Sequence, residues 1–173
     1  MAWSDLIATC GTQQTMQRAK SALKHNTIYK LGKGGFDPTK PMTLQCDCSG
    51  FIAWAIGIPR ELPPKSNKWL STDQYWAGGK PVKAGLFTQK DLASEATIGD
   101  LLVYPDSGGH QGHISVISAI KNSKPSLIIH CSSGNFKNFG DAIRETDPSI
   151  FLAGNHKTRL MRINYDLFKN MVK

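Results

Sequence analysis

The chain has 173 residues, an apolar fraction of 40%, a charged fraction of 20% and a net charge of +8 from 21 basic and 13 acidic residues. That length supports one core and is short for two domains without a visible linker, so residues 1–173 read as a single globular domain rather than a disordered or fibrous chain. The charge suits an anionic partner, but the basic residues are scattered without a run of five, which argues against nucleic acid, and no apolar stretch approaches the ~20 residues that stable membrane insertion needs.

The first residues lack a basic start followed by an apolar run of about 7–15 residues, so no secretory signal is expected and synthesis in the cytoplasm with reduced thiols is. From Ser4 to Lys24, Leu6, Ile7, Cys10, Met16, Ala19 and Leu23 recur at helical spacing, with Ser4 as the N-cap. Between Tyr29 and Met42 the density of Gly32, Gly34, Gly35, Pro38 and Pro41 predicts a loop that wraps something. Phe51 to Gly57 is apolar on every side, preceded by Asp47 as a cap and closed by Gly57 and Pro59; such a helix belongs in the core.

Pro59 to Thr97 is polar and proline-rich, and reads as loop with one or two short helices. Leu101 to Tyr104, His113 to Ile120 and Ser126 to Cys131 are β-prone runs separated by turn residues, with Leu160 to Ile163 as a further strand and Tyr165 to Val172 as a terminal helix. Helices first and strands second predict an α+β domain with a small antiparallel sheet.

Cysteine chemistry needs a thiolate, which a helix N-terminus favours through its partial positive charge and free N–H donors, and Cys48 sits at the first turn of the apolar helix. A histidine must take the thiol proton, and a third group must hold that imidazole in the right tautomer. His113 opens one predicted strand and His130 closes the next, so antiparallel pairing can put them side by side. The bland alternative is a buried thiol and two ordinary strand histidines. Zinc is the other sharp reading, from Cys46 and Cys48 with His110 and His113, but one residue between the cysteines is poor spacing for a tetrahedral site, so no metal or cofactor is expected. Cys46 is read as structural, since it could bridge to its neighbour Cys48 only with backbone change, and the sequence leaves open what Cys10, Cys46 and Cys131 do beyond packing.

Three segments in order resemble the NlpC-type family of cell-wall cysteine peptidases, within the papain-like superfold. They are Tyr29 with the glycines after it leading to Asp47-Cys48-Ser49-Gly50, Gly99-Asp100 leading to Gly112-His113-Ile114, and Ile129-His130 leading to Gly134. The resemblance implies a papain-like fold with the nucleophile on a buried helix against the sheet. It makes Cys48 the nucleophile, His113 the base, His130 the orienting residue and Tyr29 part of the oxyanion site, and it gives Asp47 and Ser49 the free amine of the substrate's first alanine. It also implies hydrolysis of amide bonds in peptidoglycan stem peptides, typically between γ-D-glutamate and the diamino acid. Without a signal, three settings fit: an antibacterial toxin exported by a non-classical route and held by an immunity protein, a phage lysis enzyme, or a wall-recycling enzyme. Acyltransferases and deamidases share the fold and stand as the alternative class.

Overall fold

The computed structural model describes residues 10–58, 70–80 and 83–171. The fold is α+β, and its centre is helix α2 (Cys48–Ile56). The helix starts where expected because Asp47, in extended backbone, turns its carboxylate onto the Gly50 N–H at 2.8 Å. It stops at Gly57, whose φ of 74° only glycine adopts cheaply, while Gly57 and Ile58 donate back to Trp54 and Ala53 in a Schellman closure. Gly57 is needed a second time for space, since a Cβ there would stand 2.6 Å from the Arg18 guanidinium. Of this helix only Trp54 is not fully buried, and each of Phe51, Ile52 and Ile56, at 0% exposure, contributes roughly 2 kcal/mol by leaving water.

One side of α2 meets helix α1 (Thr12–Ser21). Arg18 Nε donates to Ala55 O at 2.7 Å and Cys10 Sγ to Gly57 O at 3.3 Å across this contact. The helix is shorter than Ser4–Lys24: it ends at Ser21 with Ala22 as its C-cap, Lys24 beyond it takes φ 67°, and Ser4, the expected cap, lies outside the described residues. Two short parallel strands, β1 (Ile28–Tyr29) and β2 (Gln45–Cys46), place Tyr29 opposite Cys46, just ahead of α2.

The glycine-rich loop between those strands wraps the start of α2. Gly35 N donates to Gly50 O at 2.9 Å, Asp47 N to Lys33 O at 3.0 Å, and Gly32 N to Asp47 Oδ2 at 2.7 Å. A Cβ on Gly34, at φ 115°, would lie 2.8 Å from the Gly50 Cα, so the wrap is possible only with glycine there.

The other side of α2 packs on a six-stranded antiparallel sheet ordered β3-β8-β4-β5-β6-β7. Its strands are β3 (Phe87–Lys90), β4 (Leu101–Tyr104), β5 (His113–Lys121), β6 (Lys124–Cys131), β7 (Ile143–Thr146) and β8 (Arg159–Ile163). Alternation along the strands sorts the core: Leu101, Val103, Ile114, Val116, Ile129 and Cys131 join α2, while Leu102, Tyr104, Ile117, Ile128 and Leu160 form a second cluster with Phe151. Helices α3 (Thr72–Trp76), α4 (Ser133–Phe139), α5 (Ser149–Leu152) and α6 (Tyr165–Met171) surround the sheet. This is the layering expected of a papain-like α+β domain.

Edge strands β3 and β7 and helices α4 and α5 were not expected from the pattern. Ile143-Arg-Glu-Thr buries only Ile143, so its strand comes from pairing to β6 rather than from apolar alternation. Of the polar region up to Thr97, residues 59–69 and 81–82 lie outside the described residues, and the rest supplies α3 and β3.

Removing the cap should be costly. Asp47→Ala is expected to lower stability by about 2 kcal/mol in urea unfolding, while Asp47→Asn, which keeps a capping oxygen, loses less.

Candidate active site

The site lies at the end of the sheet where β4, β5 and β6 meet the start of α2. Cys48 is 6% exposed and occupies the first helical position. His113, at the start of β5, sits opposite Tyr104 in the β4 ladder, and His130 lies near the end of β6. The expected pairing is present: His113 Nε2 and His130 Nδ1 are 2.7 Å apart, with the rings edge to face. Both imidazoles are buried, against Phe151, whose ring stacks on His113 at 5.4 Å, and Tyr104 at 6.1 Å.

Tyr104 connects the histidines with the thiol. Its hydroxyl titrates above the usual phenol range because it is buried and because a Cys48 thiolate would repel the phenolate. Tyr29 feels the same thiol from the β1 side; burial raises it first, then the charges of Cys48 and Asp47. Both phenols therefore stay protonated at neutral pH and stand as O–H donors near the sulfur.

The loop before His113 is pinned through its backbone. Asp106 accepts the Gly112 N–H and the Thr72 hydroxyl, the latter at 3.4 Å, and Asp73 Oδ1 accepts the Asp106 N–H at 2.9 Å. A Cβ on Gly112 would lie 2.4 Å from Thr72 Oγ1 and 2.6 Å from Tyr104 O, so the residue before the histidine must be glycine.

His130 is held from its far side. Its Nε2 lies 3.1 Å from Thr146 Oγ1 and 3.3 Å from Asn135 Nδ2. When Thr146 gives its single proton to Asp147 O at 3.1 Å it offers His130 a lone pair and favours the tautomer with the proton on Nε2, whereas the Asn135 amide favours the other. In the first of these tautomers the bare Nδ1 of His130 accepts from His113 Nε2–H, which leaves Nδ1 of His113 unprotonated and able to act as a base. Asn135, whose amide also donates to Ala142 O at 3.2 Å, is placed under the ring by the start of α4, where Ser132 Oγ accepts the Asn135 N–H at 3.0 Å.

Burial holds His113 down to about 3, with further depression from His130 and His156, and holds His130 down to about 4, opposed only by Asp147. Both rings are neutral at physiological pH. His156 itself stacks face to face on Tyr104 at 3.9 Å.

His113 and His130 are thus in direct contact, and Tyr29 and Tyr104 both lie within electrostatic reach of Cys48. Asp47, at 1% exposure, spends its carboxylate on Gly32 N, Gly50 N and the Ser49 hydroxyl at 3.1 Å, so what it visibly does is cap α2 and tie down the loop. Cys46 turns away from Cys48 toward Cys131. Among the described residues no group of three His, Cys, Asp or Glu side chains could hold a metal ion. Sequence reading missed Tyr104, Phe151, Asn135 and Thr146. Tyr104 stood in a recognised strand, whereas Thr146 carried no local signal at all.

No family model matches the chain, and no curated protein resembles it in sequence. Among solved structures, the P60 domain of an antigen from M. avium subspecies paratuberculosis is similar with a TM-score of 0.49 at 17% identity, over 94% of this chain and 98% of that one. So distant a likeness leaves the functional reading to the geometry of the site.

Two outcomes follow from the histidine pair. An unfolded histidine takes a proton at 6.5 and the folded His113 only near 3, so below 6.5 the unfolded chain binds more protons and stability falls with pH. The melting temperature is expected to drop between pH 6.5 and 4, less steeply in His113→Gln, and to show no such histidine contribution above the unfolded value. Thr146→Val removes the lone pair that fixes His130 and leaves Asn135 to favour the opposite tautomer. Alkylation of Cys48 should slow by at least about tenfold at neutral pH, with Thr146→Ser restoring it and ¹⁵N shifts of the His130 ring reporting the exchange of tautomer.

Proposed function

We propose that this protein is a cysteine hydrolase that cleaves an amide bond in bacterial peptidoglycan stem peptides. The observation that carries the reading is the 2.7 Å His113–His130 hydrogen bond, buried beside a thiol at the N-terminus of a core helix. A neutral imidazole oriented by a second group and facing a cysteine at a helix start is the arrangement acyl transfer requires. The Asp47-Cys48-Ser49-Gly50, Gly112-His113 and His130 segments that resemble cell-wall peptidases are the same segments that meet at this site.

In this mechanism Cys48 gives its proton to His113 Nδ1 as the sulfur attacks the amide carbonyl. The oxyanion is met by the backbone N–H of Cys48, at the first position of α2, and by the Tyr29 hydroxyl. The His113 imidazolium passes the proton to the leaving amine, and the acyl group remains on sulfur as a thioester. Water, deprotonated by His113, then hydrolyses the thioester and restores the thiol. The positive charge that develops on His113 in a buried pocket is stabilised by its Nε2–H bond to the bare Nδ1 of His130.

The substrate bond in this proposal joins γ-D-glutamate to the diamino acid, and the net charge of +8 favours such anionic peptides. Asp47 and Ser49 flank the thiol and take the substrate's free amine, with Asp47 adding that contact to its capping bonds. An antibacterial setting completes the proposal, in which the protein reaches the wall by a non-classical route and an inhibitor protein occupies the groove in the producing cell.

Mass spectrometry of peptidoglycan fragments after digestion tests the reaction. The wild type is expected to release fragments whose masses identify the bond, while Cys48→Ala releases none and melts like the wild type. Fragment release by Cys48→Ala, or none from the wild type with a reactive Cys48, would remove the wall-hydrolase reading. Toxicity on periplasmic targeting of the wild type, absent for Cys48→Ala, tests the antibacterial setting.

A further inference from the structure

Behind the nucleophile lies a second pair of thiols that the mechanism does not use. Cys46 ends β2, two residues before Cys48, and Cys131 ends β6, next to His130. The two sulfurs are 3.3 Å apart, and Cys131 Sγ also reaches Cys46 O at 3.4 Å. The residues are 1% and 0% exposed and 85 positions apart in the chain. Two apolar side chains would serve packing as well here, whereas facing thiols need only side-chain rotation and a small approach to reach bonding distance.

We infer that Cys46 and Cys131 are a disulfide site, cross-linking the strand that enters the nucleophile helix to the strand that carries His130. For this pair the proposal replaces the expectation of reduced thiols, and the compartment, an oxidising one outside the cytoplasm, rests on the proposed wall substrate. Bond formation is thiol–disulfide exchange: Cys46 and Cys131 each lose a proton, the pair gives two electrons to a low-molecular-weight disulfide, and two thiols of that oxidant are released. Burial keeps the Cys131 thiol protonated, so exchange proceeds through local opening and is slow in both directions.

The cross-link has two consequences. It closes a long loop that contains Cys48 and His113, which constrains the unfolded chain. It also engages the one thiol close enough in sequence to compete for the nucleophile, so that Cys48 stays reduced where other thiols oxidise. Cys10, hydrogen-bonded to Gly57 O on the far end of α2, takes no part.

The test is to incubate the purified protein with oxidised glutathione at mildly alkaline pH until its mass is constant, then denature it and alkylate with N-ethylmaleimide. The expected result is a linked peptide pair joining Cys46 to Cys131, with Cys10 and Cys48 outside the link, each alkylated or carrying one glutathione, and a melting temperature roughly 10 °C above that of the reduced protein. Cys131→Ala should abolish that difference and leave Cys46 open to alkylation. Four alkylated cysteines, a link that includes Cys48 or Cys10, or equal melting of oxidised and reduced protein would overturn the inference. None of these readouts depends on substrate, so failure of the hydrolase reading in the peptidoglycan digest would be seen separately.

Discussion

A carboxylate at 1% exposure that accepts from Gly32, Ser49 and Gly50 sets the point at which the chain enters its buried helix. The free N–H groups of a helix start carry partial positive charge, and in a core they must be answered by something other than water. Asp47 answers them and in the same contact draws the β1–β2 loop across the helix mouth. Cys48 is therefore held at the first position of the helix, directly after the cap. Tyr29 pairs with Cys46 in the β1–β2 ladder, two residues before Cys48.

The second constraint is electrostatic. Two imidazoles in an apolar wall of Phe151 and Tyr104 cannot both carry charge, and burial keeps each neutral well below physiological pH. Neutral histidines need an unambiguous direction for their single N–H. Here a chain of contacts runs from a main-chain carbonyl, through the Thr146 hydroxyl and His130, to His113, with the Asn135 amide acting on the same ring nitrogen as Thr146. A base prepared in this way acquires charge only during reaction, when its neighbour is already placed to receive the hydrogen bond.

Much of this architecture could be read along the chain because it is local. An all-apolar segment bounded by Asp47 and Gly57 can be only a core helix, and a glycine run before it can approach another backbone where other residues cannot. Paired strands that begin with His113 and end near His130 bring those rings together by ladder geometry alone. The elements that escaped were those whose form depends on a partner: β7 on the edge of β6, β3 on β8, and α5, whose Phe151 matters only as a wall for His113. The termination of α1 at Ser21 rather than Lys24 likewise follows from a backbone turn at Lys24 that the helical spacing did not reveal.

The sequence by itself determined the fold class, the buried helix that begins at Cys48 with its Asp47 cap, and the pairing of His113 with His130, since periodicity, capping and strand order act over short stretches. Only the tertiary structure decided which partners those residues have. That Thr146 orients His130, that Tyr104 spans the thiol and the imidazole, and that Cys46 faces Cys131 rather than Cys48 are matters of distance between segments far apart in the chain. Such distances are set by the packing of α2 on the sheet, where many small contacts sum to one arrangement that no single stretch of residues encodes.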